Sequence, residues 1–139
     1  MNYDRRRFEL FAVFALLCSP SVVQAQPVIM RDGHATLANA GHINPYRAGH
    51  EVDVANGPPL GLQLHAAYEE TELTLAEGDT LTLLTDGVVE AQDSDTKALF
   101  GFERTAAISG GSAEQIAEAA RSFGQEDDIA VLTLQYLPV

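Results

Sequence analysis

Leu81-Thr82-Leu83-Leu84-Thr85-Asp86-Gly87-Val88-Val89-Glu90 is an apolar run that ends on a carboxylate and a glycine. Side chains alternate along a strand with period two, so Leu81, Leu83 and Thr85 share one face and Thr82, Leu84 and Asp86 the other. Both faces are apolar enough to be buried, as in a central strand packed between layers. Asp86 is then delivered at the strand's tip, a common way to build a metal or phosphate site. Gly87 is expected to turn the chain sharply, because it lacks the Cβ that forbids positive φ.

Working outward, Glu72-Leu73-Thr74-Leu75 alternates before Glu77-Gly78-Asp79, so residues 71–86 are expected to form a β-hairpin. Upstream, residues 27–60 read as short strands and turns. Asp32-Gly33 is a hairpin signal, Ala35–Ala38 a short strand and Asn39-Ala40-Gly41-His42 a turn. Tyr46-Arg47 and Glu51–Val54 are strand segments, with Asn44-Pro45 and Asn56-Gly57-Pro58-Pro59 as loops. Downstream, residues 88–97 are acidic and read as an exposed loop. A short helix is expected over Phe102–Ile108. Ser112 and Gln115 fit a capping box ahead of an amphipathic helix over 113–122, which Gly124 ends. The last element runs from Ile129 to Tyr136, strongly apolar, with Asp127-Asp128 at its entry. Were it antiparallel to and beside the Leu81 strand, Asp86 and Asp127 would meet at one end of the sheet.

The 139 residues carry 20 acids against 8 bases, a net charge of −12. Residues 51–139 hold 17 of those acids and only Lys97, Arg104 and Arg121 as bases. Such a surface repels a phosphate backbone and argues against nucleic-acid binding. The single Cys18 excludes an internal disulfide, and four scattered histidines give no zinc pattern.

Residues 1–26 read as a signal-peptide-like segment. Arg5-Arg6-Arg7 is a basic start, Leu10–Cys18 an apolar core, Pro20 a break, and the stretch before Gln26 a cleavage point. An N-terminal helix is the alternative. This divides the chain into 1–26 and a domain over 27–139, and points to export or membrane association.

Clustered carboxylates repel one another unless a cation binds, and hard divalent ions take oxygen ligands. Taken alone, Asp86-Gly87 is an ordinary turn more often than a site, and Asp127-Asp128 a solvated loop. Several motifs nevertheless occur together in order: Asn39-Ala40-Gly41-His42 with Asn44-Pro45, Pro59-Leu60-Gly61-Leu62, Gly78-Asp79, Leu83 to Ala91, Phe100-Gly101, and Gln125 to Ala130. Over about Asp32 to Tyr136 the set resembles the C-terminal half of PPM-type metal-dependent serine/threonine phosphatases, in the SpoIIE-like branch.

The resemblance implies an α/β (α+β) fold, part of an α-β-β-α sandwich with mostly antiparallel sheets and C-terminal helices. It implies two Mn²⁺ or Mg²⁺ ions, and hydrolysis of phosphoserine or phosphothreonine by a water held between them. Asp86 and Asp127 match metal ligands of the family. Gly87, Asp128 and His42 match supporting positions; His42 is expected to be a turn-fixing or a buried hydrogen-bonded histidine rather than a catalytic one. Ala130 stands where the family commonly has threonine. The resemblance implies a phosphorylated regulatory protein as partner, such as an anti-sigma-factor antagonist, and a cytoplasmic setting at odds with the N-terminus.

Family members also have about a hundred residues before the Ala-Gly-His motif, with an Asp-x-x-Gly-His-Gly segment that has no counterpart here. Asp32-Gly33-His34 stands at the hairpin turn and is not that segment. Much of the first sheet and a helical layer are therefore expected to be missing, leaving an apolar sheet face to be covered by a complementary N-terminal half. The alternative to an active phosphatase is a non-catalytic remnant or split-domain piece acting as a binding module.

Overall fold

The computed structural model describes residues 9–19, 22–124 and 128–137. Two sheets face each other, and helices cover the second. The first sheet holds β1 (Glu9–Ser19), β2 (Val22–Arg31), β3 (His34–Ala40), β6 (Asn56–Gly57) and β7 (Glu70–Thr74). The second has the order β5 (His50–Glu51), β4 (Tyr46–Arg47), β8 (Thr80–Leu84) and β9 (Val131–Gln135). The helices are α1 (Asp86–Val89), α2 (Gly101–Ile108) and α3 (Ala113–Phe123).

The β2–β3 hairpin forms where Asp-Gly demands it. Asp32 and Gly33 have φ of 49° and 80°, the pair of positive values a two-residue hairpin turn needs to match the twist of its strands. The alternation in β3 sends Ala35, Leu37 and Asn39 inward. There Ala35 and Leu37 join Val28 and Met30 of β2 and Leu81 and Leu83 of β8 in the core between the sheets. The other face of β8 is buried too. Leu84 packs with Tyr46, Val88, Phe100, Ile116 and Ala120 under the helices, and Thr82 Oγ1 donates to the Ser109 carbonyl at 2.7 Å. β8 is thus the two-sided central strand its composition demanded. Its pairing with β9 is antiparallel, Leu83 opposite Leu132. The Ser112–Gln115 capping box forms, and Gly124 closes α3.

Several expectations are corrected. Residues 71–86 are not a hairpin: β7 pairs with β3 in the first sheet, while β8 belongs to the second. The turn at Ala76–Asp79 carries the chain between sheets, because Thr71 and Leu73 complete the edge of β3 and leave β8 free to take β4 and β9. Arg47 and Tyr136 fasten that crossing. Arg47 forms an ion pair with Asp79, and the Tyr136 N–H donates to the Asp79 carbonyl at 3.0 Å. The Asp79 carboxylate is held below its usual range by the Ala76 N–H and then by Arg47.

Residues 88–97 are not wholly a loop either. Val88, Val89 and Ala91 are buried in or just after the single turn α1, Glu90 between them is exposed, and the exposed part begins at Gln92. The Glu51–Val54 segment keeps strand pairing only at His50–Glu51. Asn39 and Ala40 belong to β3 rather than to a turn.

The apolar run Leu10–Cys18 is a strand here, paired with β2, and the 26/27 boundary falls inside β2. Among the described residues no helix is long and apolar enough to cross a membrane. The first sheet holds five strands, β1 and β2 among them. Its outer face is mixed: β7 turns Glu70, Glu72 and Thr74 outward, while β2 shows Ile29, 39% exposed.

Candidate functional site

The site end of the sandwich is where β8 stops and the chain enters β9. Thr85 joins them. Its N–H donates to the Ala130 carbonyl, and its Oγ1 accepts from the Ala130 N–H, both at 3.0 Å. Ala130 contributes only backbone to this link. Asp86 follows at once, half-buried, as the first residue of α1. The sharp turn expected of Gly87 is absent: Gly87 is buried and helical, and its φ is not positive.

From the first sheet comes the Asn39–His42 corner. The Asn39 side chain is fully buried and holds His42 at both backbone groups. Oδ1 accepts from the His42 N–H and Nδ2 donates to the His42 carbonyl, each at 2.8 Å. Gly41 between them has φ of 76°, which only glycine adopts readily. The Gly41 N–H donates to Asn56 Oδ1 at 3.1 Å. His42 is buried, with Nδ1 3.2 Å from the Ile43 carbonyl oxygen. That oxygen can only accept, so the neutral ring carries its proton on Nδ1. The His42 ring is thus buried against backbone, while the Asn39 side chain fixes the turn.

Burial lowers the His42 pKa from 6.5, against opposing pulls from the Ile43 carbonyl and the Asp86 charge. The Asp86 charge, just after β8, therefore reaches His42, just after β3. The sign follows from proton counting: below pH 6.5 the unfolded chain binds a proton that the fold resists, so stability falls as pH drops. We expect metal-free urea unfolding to show that loss between pH 7 and 5, at up to about 1.4 kcal/mol per pH unit. A His42→Gln variant should show a flatter profile; an equal slope in both would refute the assignment.

Asp127 lies outside the described residues. Asp128 is exposed at the entry to β9, at the Asp86 end. Among the described residues, no three His, Cys, Asp or Glu side chains gather into a group able to hold a metal. These side chains therefore do not complete a two-ion site. Sequence reading missed Gln26. It is fully buried on the same strand face as Val28, beside Asn39 in the sheet register, and its amide has no hydrogen-bond partner. A glutamine in the alternation of Val28 and Met30 was the available signal.

Residues 12–137 match the family model of stage II sporulation protein E, SpoIIE. The chain belongs to the SpoIIE family. Among solved structures, the SiaA-PP2C domain of Pseudomonas aeruginosa is similar at 25% identity and a TM-score of 0.62, over 83% of this chain and 52% of that one. The RsbU and RsbW domains of a Mycobacterium tuberculosis protein share 21% identity with a TM-score of 0.65, over 81% and 36%.

The PP2C phosphatase domain of SpoIIE from Bacillus subtilis, solved with a fragment of its regulatory domain, gives 20%, 0.54, 82% and 38%. These likenesses establish the fold, a PPM-phosphatase α+β architecture with antiparallel sheets. The chain spans about a third to a half of the length of these solved chains. A comparison with curated proteins finds no match. Within the SpoIIE family frame, the motifs at Asn39–His42 and Thr85–Gly87 are the two corners that the fold brings to one end.

Proposed function

We propose that this chain is the C-terminal half of a PPM-type protein serine/threonine phosphatase domain that hydrolyses phosphoserine or phosphothreonine with divalent metal. The observation that carries the reading is the family match over residues 12–137. The placement of Asp86 at the end of β8, where the chain enters β9, supports it. Asp86 and Asp127 are the metal ligands this half contributes. Carboxylate oxygens suit Mg²⁺ or Mn²⁺. Bound as a pair, such ions supply an activated water and neutralise charge on the phosphoryl group.

This chain's own residues prepare that chemistry. The Thr85–Ala130 link fixes where Asp86 projects, Asp128 orders the entry loop, and buried neutral His42 holds the adjacent corner without adding a positive charge beside the carboxylate. The substrate is a phosphorylated regulatory protein of a signalling system, such as an anti-sigma-factor antagonist, in keeping with the RsbU and SpoIIE relatives.

Mn²⁺-dependent release of phosphate from a phosphoserine peptide tests this. Loss of groups that merely orient a ligand typically costs 10–100-fold. Replacement of a ligand itself, Asp86→Asn, should therefore cost about a hundredfold or more. Equal turnover in wild type and variant would overturn Asp86 as a ligand. The second reading is a split-domain piece that binds without catalysing; the chain spans about a third to a half of the length of the solved chains it resembles. Silence at millimolar Mn²⁺, with the phosphoprotein still bound, would select it.

A further inference from the structure

We propose that Asn56-Gly57 is a site of spontaneous deamidation, and that its isoaspartyl product releases the Gly41 end of the Asn39–His42 corner. The inference stands on β6 and this corner, independently of the phosphatase reading. Among the described asparagines, Asn56 alone precedes a glycine. Asn44 precedes Pro45, which has no N–H to serve as nucleophile. Asn39 precedes Ala40 and is fully buried.

The fold calls for both members of the reactive pair. A Cβ on Gly57 would sit 2.6 Å from Cδ1 of the Tyr68 ring. That ring is fixed in turn, since Tyr68 Oη donates to the Pro58 carbonyl at 2.8 Å. Position 56 has to present an acceptor, because Asn56 Oδ1 takes the Gly41 N–H at 3.1 Å. Two structural demands thus set an amide beside an unhindered backbone nitrogen. Asn56 is exposed, and β6 is two residues long, with β3 on one side of it. So short a pairing opens locally at little cost, which lets the nitrogen reach the amide carbon.

The Gly57 nitrogen, its proton lost to solvent base, attacks Cγ of Asn56. As the N–Cγ bond forms, negative charge collects on Oδ1, at which the Gly41 N–H is already aimed. The Cγ–Nδ2 bond then breaks, and Nδ2 takes up a proton and leaves as ammonia. Water opens the resulting cyclic imide. Cleavage between Cγ and nitrogen gives aspartate on an unchanged main chain. Cleavage at the carbonyl of residue 56 gives isoaspartate, with the main chain running through Cβ and Cγ. Water is consumed and ammonia released, with no oxidation or reduction.

The isoaspartyl form does not fit the sheet. β6 lies parallel to β3, with Asn39 opposite Asn56 and Ala40 opposite Gly57. A main chain lengthened between those two positions cannot keep both pairings, and the acceptor for Gly41 moves away. Gly41, held at a φ of 76°, then loses its tether to β6, while the Asn39 side chain still clamps His42.

The test ages the whole protein in neutral and in mildly alkaline buffer. Peptide masses locate the converted residue, and an isoaspartyl methyltransferase serves as the reagent that detects isoaspartate. We expect conversion at Asn56, faster at the higher pH, with Asn39 and Asn44 intact. Asn56→Gln should stay unconverted over the same period, because ring closure from glutamine is far slower. Amide hydrogen exchange at Gly41, read by NMR on the separated isoaspartyl form, should speed up about two- to tenfold, as for one lost hydrogen bond. Freshly prepared Asn56→Asp should keep the slow exchange, since its carboxylate accepts the same N–H from an unchanged main chain.

An Asn56 amide that survives in the folded protein, under conditions where the urea-unfolded chain converts, overturns the proposal. So does an isoaspartyl form whose Gly41 exchange equals that of fresh protein. Equal loosening in fresh Asn56→Asp also overturns it, since charge rather than the lengthened main chain would then release the corner.

Discussion

Leu83→Ala is expected to lower the free energy of unfolding by about 2–5 kcal/mol, the range for a leucine removed from a packed core. Leu83 is 1% exposed and sits where the two sheets meet, with Val28, Leu37 and Leu81 in the same cluster. Its neighbours lie on strands fixed by pairing on both sides, β8 between β4 and β9 and β3 between β2 and β7. They cannot close the gap without moving whole sheets, which places the cost towards the upper half of that range. Urea denaturation followed by circular dichroism measures it. A loss under about 1 kcal/mol would mean that the sheets are not packed face to face here.

Asn39→Ala is expected to cost about as much, by a different route. One side chain satisfies both the N–H and the carbonyl of His42, and all three groups are buried. Truncation leaves two buried backbone groups unpaired, at about 1–3 kcal/mol each. Asn39→Asp separates the two bonds. A carboxylate can accept from the His42 N–H but cannot donate to its carbonyl, and it brings a charge into a buried corner. Asp should therefore rescue little. Thermal unfolding of both variants checks this; a midpoint near wild type for Asn39→Asp would show that the carbonyl bond is dispensable.

The fold was legible where a residue type leaves one physical option. Asp32-Gly33 could make a tight hairpin, Ser112 with Gln115 could cap a helix, and a strand apolar on both faces had to be central. The hairpin expected at 71–86 failed because alternation specifies a strand's faces and not its partner. β7 and β8 are neighbours in the chain, yet tertiary packing assigns them to different sheets. The Gly87 turn failed because glycine permits positive φ without requiring it, and here it lies inside the helical turn α1.

At the site, the motifs singled out Asp86 and Asn39–His42, and the fold brings the two segments to one end. Gln26 stayed hidden, since an amide in an apolar strand is visible only once its surroundings are known.

The switch of the chain from one sheet to the other at Ala76–Asp79 also bears on how the protein forms. β7 can join β3 as soon as it leaves the ribosome, but β8 has only the two-residue β4 on one side until β9, the last described strand, reaches its other edge. Until then Leu81–Leu84 offers an apolar strand with an open edge. Pairings so distant in sequence slow folding, and such edges invite association between nascent chains. Aggregation during synthesis, rather than after it, is where this architecture is most exposed.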